Sequence, residues 1–199
     1  AIYFASIFSQ LWGRPELTEI QKTLYEELLR IRDEIGDSVK LEDTHRLLWL
    51  HLPPFYDSSL LDYVEVKCRA PIVFEEVNFI GWEPLDVNDP YRALAKKLLT
   101  VGFMDPALRV RSIVEGAKDV HYNGCILYNH GFGRCSMADS SFIKHLREEL
   151  NKAAVPLLVL DGDCVDTTID PCSTETKISA YVEALNEKKY GNIFGRLKQ

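Results

Sequence analysis

The feature that most constrains the fold is the apolar run VPLLVL at residues 155–160, which contains no polar side chain. Uninterrupted apolar strands are typical of parallel sheets that helices cover on both faces, because neither face of such a strand meets water. The run ends abruptly at Asp161, Gly162 and Asp163, which are residue types found in loops. The sequence therefore predicts an α/β fold with this segment as a buried strand.

Three further segments favour strands, and helical segments alternate with them along the chain. The predicted strands are residues 45–52, 71–79 and 120–128. Helices are predicted for residues 57–68, from Pro90, for residues 105–116, from Ser136 or Asp139, and from Ser173 to Lys188. Because strands that alternate with helices form parallel sheets, we expect a doubly wound, mainly parallel sheet of about four strands with helices on both faces.

The beginning of the chain departs from this alternation. Within residues 16–37, Leu17, Ile20 and Leu24 start an apolar series at spacings of three and four, which predicts a long amphipathic helix. The stretch before this helix is apolar and has no start signal of its own. The expected division is residues 1–15 as the tail of a preceding domain, residues 16–44 as a linking amphipathic helix, and residues 45–199 as the α/β domain.

Charge and hydropathy exclude several classes of protein. The chain has 23 Lys and Arg residues against 30 Asp and Glu residues, and the basic residues do not cluster into a stripe. We therefore expect no nucleic-acid partner. No apolar run approaches the roughly 20 residues that span a bilayer, and the first residues lack the features of a signal peptide. We therefore expect a cytoplasmic protein without a membrane partner. Five cysteines without a CxxC pair argue against a disulfide framework.

Ligands of a doubly wound sheet bind at the carboxyl ends of its strands, so the loops there are candidate sites. The loop at residues 129–136 (NHGFGRCS) joins a predicted strand to a predicted helix, and Gly131 and Gly133 allow close approach of its backbone. Cys135 lies at the predicted helix start beside Arg134, and both surroundings favour a thiolate that binds metal or attacks an electrophile. Packing of Cys135 under the helix, with His130 as a solvated loop residue, is the alternative.

Two acidic groups occupy other predicted strand ends. Asp161, Asp163 and Asp166 either hold a metal ion or orient a base, or they form turns and helix caps. Glu75 and Glu76 end the second predicted strand, and a charge on one face of that strand indicates either a polar site or a sheet edge. Core packing is the expected role of the remaining aromatic and imidazole side chains, which are Trp12, Trp49, Trp82, His45 and His51.

The order of these segments resembles one family. The segments are HRLLWLHLPPF, VFEEVNF, NDPYRALAKKLL, NHGFGRCS and VPLLVLDGDCVDTTIDPCSTETKISAYVEAL. Together they are similar to the subunits of the 2-hydroxyacyl-CoA dehydratase family, which also includes benzoyl-CoA reductase. The resemblance covers residues 17–185, and the last segment is its most specific part.

The resemblance implies a definite chemistry. Members have two related subunits, each able to hold a [4Fe-4S] cluster, and an ATP-dependent activator protein supplies one electron. This chain would pair either with a sister subunit or with a second copy of itself. The electron goes to an acyl-CoA thioester, and the resulting ketyl radical expels the 2-hydroxyl group to give an enoyl-CoA. A benzoyl-CoA reductase-type subunit is the alternative within the family. The protein would supply a positioned, dry pocket.

Residue by residue, the resemblance makes Cys135 a cluster ligand. The strand-end loops around it are the predicted substrate- or cofactor-binding region, with His130, Gly131, Gly133, Arg134, Ser136, Asp161 and Asp163. The loop after VFEEVNF, where the family has another ligand, contains no cysteine between Val77 and Trp82. Two hypotheses follow: a component of an acyl-CoA lyase that is inactive as an isolated fragment, or a cluster-free relative that serves as a binding or scaffolding subunit.

Overall fold

The structure is a computed structural model that describes residues 14–35, 44–54, 57–76, 85–100, 105–116, 120–130, 140–163, 165 and 171–196. The chain divides into two compact units, Ala1–Thr44 and His45–Gln199. Within the described residues, no helix is both long enough and apolar enough to cross a membrane.

The described part of the first unit is helix α1, Pro15–Ile35. Proline is favoured at the first helical position because its missing N–H would have no partner there, and Leu17 donates its backbone N–H to the Arg14 carbonyl at 3.1 Å. On the solvent-facing side, Arg30 forms ion pairs with Glu27 and Glu34. The long amphipathic helix predicted from the apolar spacing is therefore confirmed.

The second unit contains four strands and five helices in the described residues. In chain order they are β1 (Leu47–Leu50), α2 (Ser59–Asp62), which continues into a π-helical turn (Tyr63–Lys67), β2 (Ile72–Glu75), α3 (Pro90–Thr100), α4 (Pro106–Gly116), β3 (Gly124–His130), α5 (Ser140–Lys152), β4 (Leu157–Gly162) and α6 (Pro171–Arg196). The strands form one sheet in the order β2-β1-β3-β4, and all neighbouring pairs are parallel. The predicted parallel α/β fold is confirmed.

Alternation along the strands produces two cores, one on each face of the sheet. Leu48 and Leu50 of β1 face a cluster that includes Cys125 and Leu127 of β3 and side chains from α4 and α5. The intervening residues of β1 face the other cluster with α2 and α6; its strand members are Leu47, Trp49, Ile126, Tyr128 and Leu160. Burial of each leucine stabilises the fold by about 1.5–3 kcal/mol.

Aspartate carboxylates accept backbone N–H groups in the first turns of three helices. Asp57 accepts the backbone N–H of Ser59 at 2.8 Å, and Asp105 accepts that of Leu108 at 2.8 Å. Asp89 accepts the N–H of Arg92 at 3.3 Å. Each carboxylate satisfies an N–H that has no partner within the helix and lies near the positive end of the helix dipole.

Strand β4 differs from its prediction as a fully buried strand. It lies at the edge of the described sheet, and Leu157, Leu158 and Val159 are only half-buried. The run VPLLVL is apolar because β4 packs on both faces of the sheet, although the strand lies at the edge of the described sheet and not at its centre. The last residue of β4 packs tightly, because a Cβ on Gly162 would lie 2.2 Å from the Tyr128 ring.

One tyrosine joins the starts of β3 and β4. The Tyr181 hydroxyl, from α6, accepts the Cys125 N–H at 2.8 Å and donates to the Pro156 carbonyl at 2.7 Å. Burial raises the pKa of this hydroxyl, and the hydrogen bond to the Cys125 backbone lowers it by less. The hydroxyl therefore stays protonated and able to donate. The helix is thereby tied to the sheet at the amino ends of both strands.

Candidate functional site

The sheet has a topological switch point between β1 and β3. After β1 the chain builds β2 on one side of it and then β3 on the other, and crevices for ligands form at the carboxyl ends of strands where this reversal occurs. His51 directly follows β1 and His130 is the last residue of β3. Both are buried, and their ring centroids are 4.4 Å apart. Two imidazoles therefore lie together at the place where this fold binds ligands.

His51 has an uncommon backbone conformation. Its φ of 73° lies in the left-handed region, which costs free energy for any residue other than glycine. Its N–H donates to Glu76 Oε2 at 3.0 Å. A charge-assisted hydrogen bond to a buried carboxylate is among the stronger ones in proteins, so Glu76 holds the strained residue in position.

Glu76 is itself paired with a buried arginine. Arg109 Nη2 donates to Glu76 Oε2 at 2.8 Å, and Arg109 Nε donates to Oε1, which makes the pair bidentate. Only 1% of the Arg109 side chain and 7% of the Glu76 side chain are exposed. The guanidinium also lies 4.4 Å from the centre of the Phe142 ring. The end of β2 is thus joined to α4 and α5 by a compensated charge pair.

The His130 ring is fixed by one hydrogen bond and two aromatic neighbours. Its Nε2 lies 2.7 Å from the Leu52 carbonyl oxygen, and the Tyr128 ring meets it edge-on at 5.3 Å. Burial lowers the pKa of His130, although the bond to Leu52 and the Asp163 carboxylate act in the opposite direction. The imidazole is therefore neutral near pH 7.

The predicted aspartates at the end of β4 make local contacts. Asp161 is exposed, and its carboxylate accepts a long hydrogen bond of 3.4 Å from the Asn129 amide. Asp163 accepts the backbone N–H of Val165 at 2.7 Å, which is a turn-forming contact. Asp166 and the loop residues Gly131, Gly133, Arg134, Cys135 and Ser136 lie outside the described residues. The predicted roles of these loop residues stay predictions.

The three cysteines that the structure describes differ in burial and lie in different parts of the fold. Cys125 is fully buried in β3, Cys68 is half-buried after the π-helical turn, and Cys172 is exposed in the first turn of α6. Burial raises the pKa of Cys125 and of Cys68, which favours their thiol forms. In the part of the chain described, no group of three His, Cys, Asp or Glu side chains is arranged to hold a metal ion. The described residues alone therefore supply no complete donor set for an iron–sulfur cluster.

Sequence reasoning missed two parts of this site. His51 was interpreted as a core residue, and Arg109 was not singled out. A usable signal for His51 is its position between a buried strand and the segment Leu52-Pro53-Pro54. No local signal marks Arg109, because its partner Glu76 lies 33 residues earlier in the chain.

The architecture and the site together define a doubly wound α/β domain with a buried polar cluster at the carboxyl ends of its strands. Residues 1–185 match the family model described as 2-hydroxyglutaryl-CoA dehydratase, D-component. The chain belongs to this family, which confirms the resemblance noted in the sequence. A component of this kind implies a partner component in a multisubunit complex. A search of curated proteins found no match.

Proposed function

We propose that the chain is a subunit of a 2-hydroxyacyl-CoA dehydratase, an enzyme that eliminates water from a 2-hydroxyacyl-CoA thioester by a radical route to give an enoyl-CoA. The observation that carries the proposal is the buried His51 and His130 pair at the switch point of a sheet whose family acts on such thioesters. The acyl end of the substrate would lie across the carboxyl ends of β1 and β3.

The residues of this edge suit a thioester. The imidazole of His130 is neutral, and Glu76 and Arg109 compensate each other, so the buried groups add no net charge. Hydrogen bonds to the thioester and its hydroxyl group would be stronger in this buried site than in water, because the effective dielectric constant is lower there. The buried site also excludes water, which protects reactive intermediates from side reactions.

The proposed enzyme contains a [4Fe-4S] cluster, to which this chain contributes Cys135. Because the described residues contain no complete donor set, the other ligands would come from elsewhere in the enzyme. The partners would be acyl-CoA, a sister subunit or a second copy of the chain, and an ATP-dependent activator protein that supplies the electron.

A second candidate function is a cluster-free subunit that binds acyl-CoA without catalysis. The observation in its favour is the segment at residues 77–82, VNFIGW, which has no cysteine in the loop where the family has a cluster ligand. The two candidates share acyl-CoA binding and differ in the cluster.

Anaerobic reconstitution of the full-length protein with iron and sulfide separates them. Cys135→Ala is the test variant, and Cys172→Ala is the matched control because Cys172 is exposed and lies on α6. Iron uptake and visible absorbance in the parent and the control, but not in Cys135→Ala, would support the dehydratase subunit. A parent protein that takes up no iron would contradict it and leave the cluster-free function. Formation of enoyl-CoA by the reconstituted complex, followed by mass spectrometry, tests the reaction itself.

A further inference from the structure

We propose that His130 accepts, through Nδ1, a hydrogen bond from the 2-hydroxyl group of the bound thioester and thereby selects 2-hydroxyacyl chains over unsubstituted ones. This inference rests on the proposed function, because it assigns to one residue the recognition of the substrate's hydroxyl group.

The first step is the tautomer of the ring. His130 Nε2 lies 2.7 Å from the Leu52 carbonyl oxygen, which can only accept a hydrogen bond. Nε2 must therefore carry the hydrogen. In a neutral imidazole the other nitrogen, Nδ1, then has a lone pair and acts as an acceptor.

The second step is that this acceptor is buried without a partner. His130 is 3% exposed, and its Nδ1 has no hydrogen-bond partner among the residues that the structure describes. A buried acceptor left unsatisfied costs about 1–3 kcal/mol, so such groups are uncommon outside functional sites.

His45, at the amino end of the sheet, shows the contrast. It is 4% exposed, and both of its ring nitrogens have partners. Nε2 lies 2.8 Å from Asn186 Oδ1, and Nδ1 lies 3.1 Å from Asn123 Nδ2. Both ring nitrogens of the buried histidine at the amino end of the sheet thus have partners, whereas one ring nitrogen of His130, at the carboxyl end, has none among the described residues.

The third step is that the ring is held in one orientation. The His51 ring lies 4.4 Å away at an angle of 47°, and Tyr128 contacts the ring edge-on. With Nε2 bonded to Leu52, a rotation of the ring would break that hydrogen bond and displace both neighbours. Nδ1 is therefore a preorganised acceptor, which avoids the cost of ordering it during binding.

The fourth step concerns the donor that fits. A hydroxyl group that enters the site loses its hydrogen bonds to water, and one neutral acceptor can replace what it loses. An ammonium group loses far more hydration free energy, which one neutral acceptor cannot replace. An acyl-CoA without the 2-hydroxyl group would leave Nδ1 unsatisfied. The 2-hydroxyl group is the donor by which the substrate differs from such a chain, so the site would discriminate between them.

The test compares 2-hydroxyglutaryl-CoA with glutaryl-CoA in anaerobic calorimetric titrations of the full-length protein. His130→Gln keeps an amide nitrogen able to donate to Leu52 but removes the acceptor at Nδ1. His130→Asn places an amide oxygen near the position of Nδ1. His45→Gln is the matched control, since it alters a buried histidine at the opposite end of the sheet.

The parent protein and His45→Gln should bind the hydroxylated thioester roughly three- to tenfold more tightly, the range expected for one hydrogen bond. The ratio of the two Kd values should fall to about one in His130→Gln and recover in part in His130→Asn. Equal affinities in the parent, or an unchanged ratio in His130→Gln, would overturn the inference while leaving acyl-CoA binding intact. Failure of both thioesters to bind would instead overturn the proposed function. Thermal melts confirm that each variant is folded.

Discussion

Glu76 and Arg109 form a buried bidentate ion pair, and the same carboxylate accepts the backbone N–H of His51. The pair thus connects the end of β2 and helix α4 to the residue that follows β1. One carboxylate thereby bonds both a guanidinium 33 positions later in the chain and the backbone of His51, whose φ is 73°.

Glu76→Gln should destabilise the domain by about 3–5 kcal/mol, because it leaves the buried Arg109 charge without compensation. Arg109→Met should destabilise the domain by a similar amount, because it leaves the buried Glu76 carboxylate without compensation. The double variant Glu76→Gln/Arg109→Met should lose clearly less than the sum of the two single changes, since no uncompensated charge remains. Urea denaturation measures all three, and additive losses would show that the two side chains do not act as a pair.

Gly162→Ala should destabilise the protein by roughly 1–3 kcal/mol, the usual cost of overpacking a well-packed core. The added methyl group would lie 2.2 Å from Tyr128, whose hydroxyl donates to the Asp163 carbonyl. The double variant Gly162→Ala/Tyr128→Leu should recover part of the loss relative to Tyr128→Leu alone. Differential scanning calorimetry measures these changes, and a Gly162→Ala melting temperature equal to that of the parent would contradict the packing described.

Stability should fall as the pH is lowered from about 6.5, which is the ordinary pKa of histidine. Burial lowers the pKa of His130 in the folded protein, so the unfolded chain binds a proton at a higher pH than the folded protein does. The stability that the neutral His130 contributes is complete above about pH 6.5. It is lost as the pH falls toward the folded pKa. His130→Gln should have a shallower dependence as the pH falls below about 6.5. Denaturation curves across this window test the prediction, which fails if the two proteins have parallel profiles.

Alkylation should distinguish the described cysteines. Cys172 is exposed, whereas Cys125 is fully buried and its pKa is raised by burial, so that little thiolate forms at neutral pH. Iodoacetamide should therefore modify Cys172 much faster than Cys125 in the native protein and both cysteines in urea. Peptide mass spectrometry gives the two rates, and rapid native modification of Cys125 would contradict its place in the core.

Local patterns were sufficient to predict the fold class. The alternation of apolar strands with helices indicated the parallel sheet, and the helices predicted from residues 57, 90 and 105 begin at Ser59, Pro90 and Pro106. Errors occurred at element ends. The last helix begins at Pro171 rather than Ser173, although proline is favoured at a first helical position. Strand β3 is Gly124–His130 rather than residues 120–128.

The site was less accessible to sequence reasoning, for physical reasons. His130 was assigned to a loop, but its hydrogen bond to Leu52, 78 residues earlier, holds it in the strand and buries it. For Glu75 and Glu76, period-two alternation left open a polar site or a sheet edge, and β2 lies at the edge of the described sheet while Glu76 is buried. The alternation could not identify Arg109, because that contact exists only once the sheet and α4 have packed together.

The central claim is that acyl-CoA binds at the carboxyl ends of β1 and β3. Hydrogen exchange of the full-length protein, measured by mass spectrometry with and without 2-hydroxyglutaryl-CoA, tests it most directly. We predict that the thioester slows exchange in peptides that contain His51, Glu76 and His130 and leaves peptides around Asn123 at the amino end of the sheet unchanged. Protection confined to the amino end, or no protection at saturating thioester, would contradict the account.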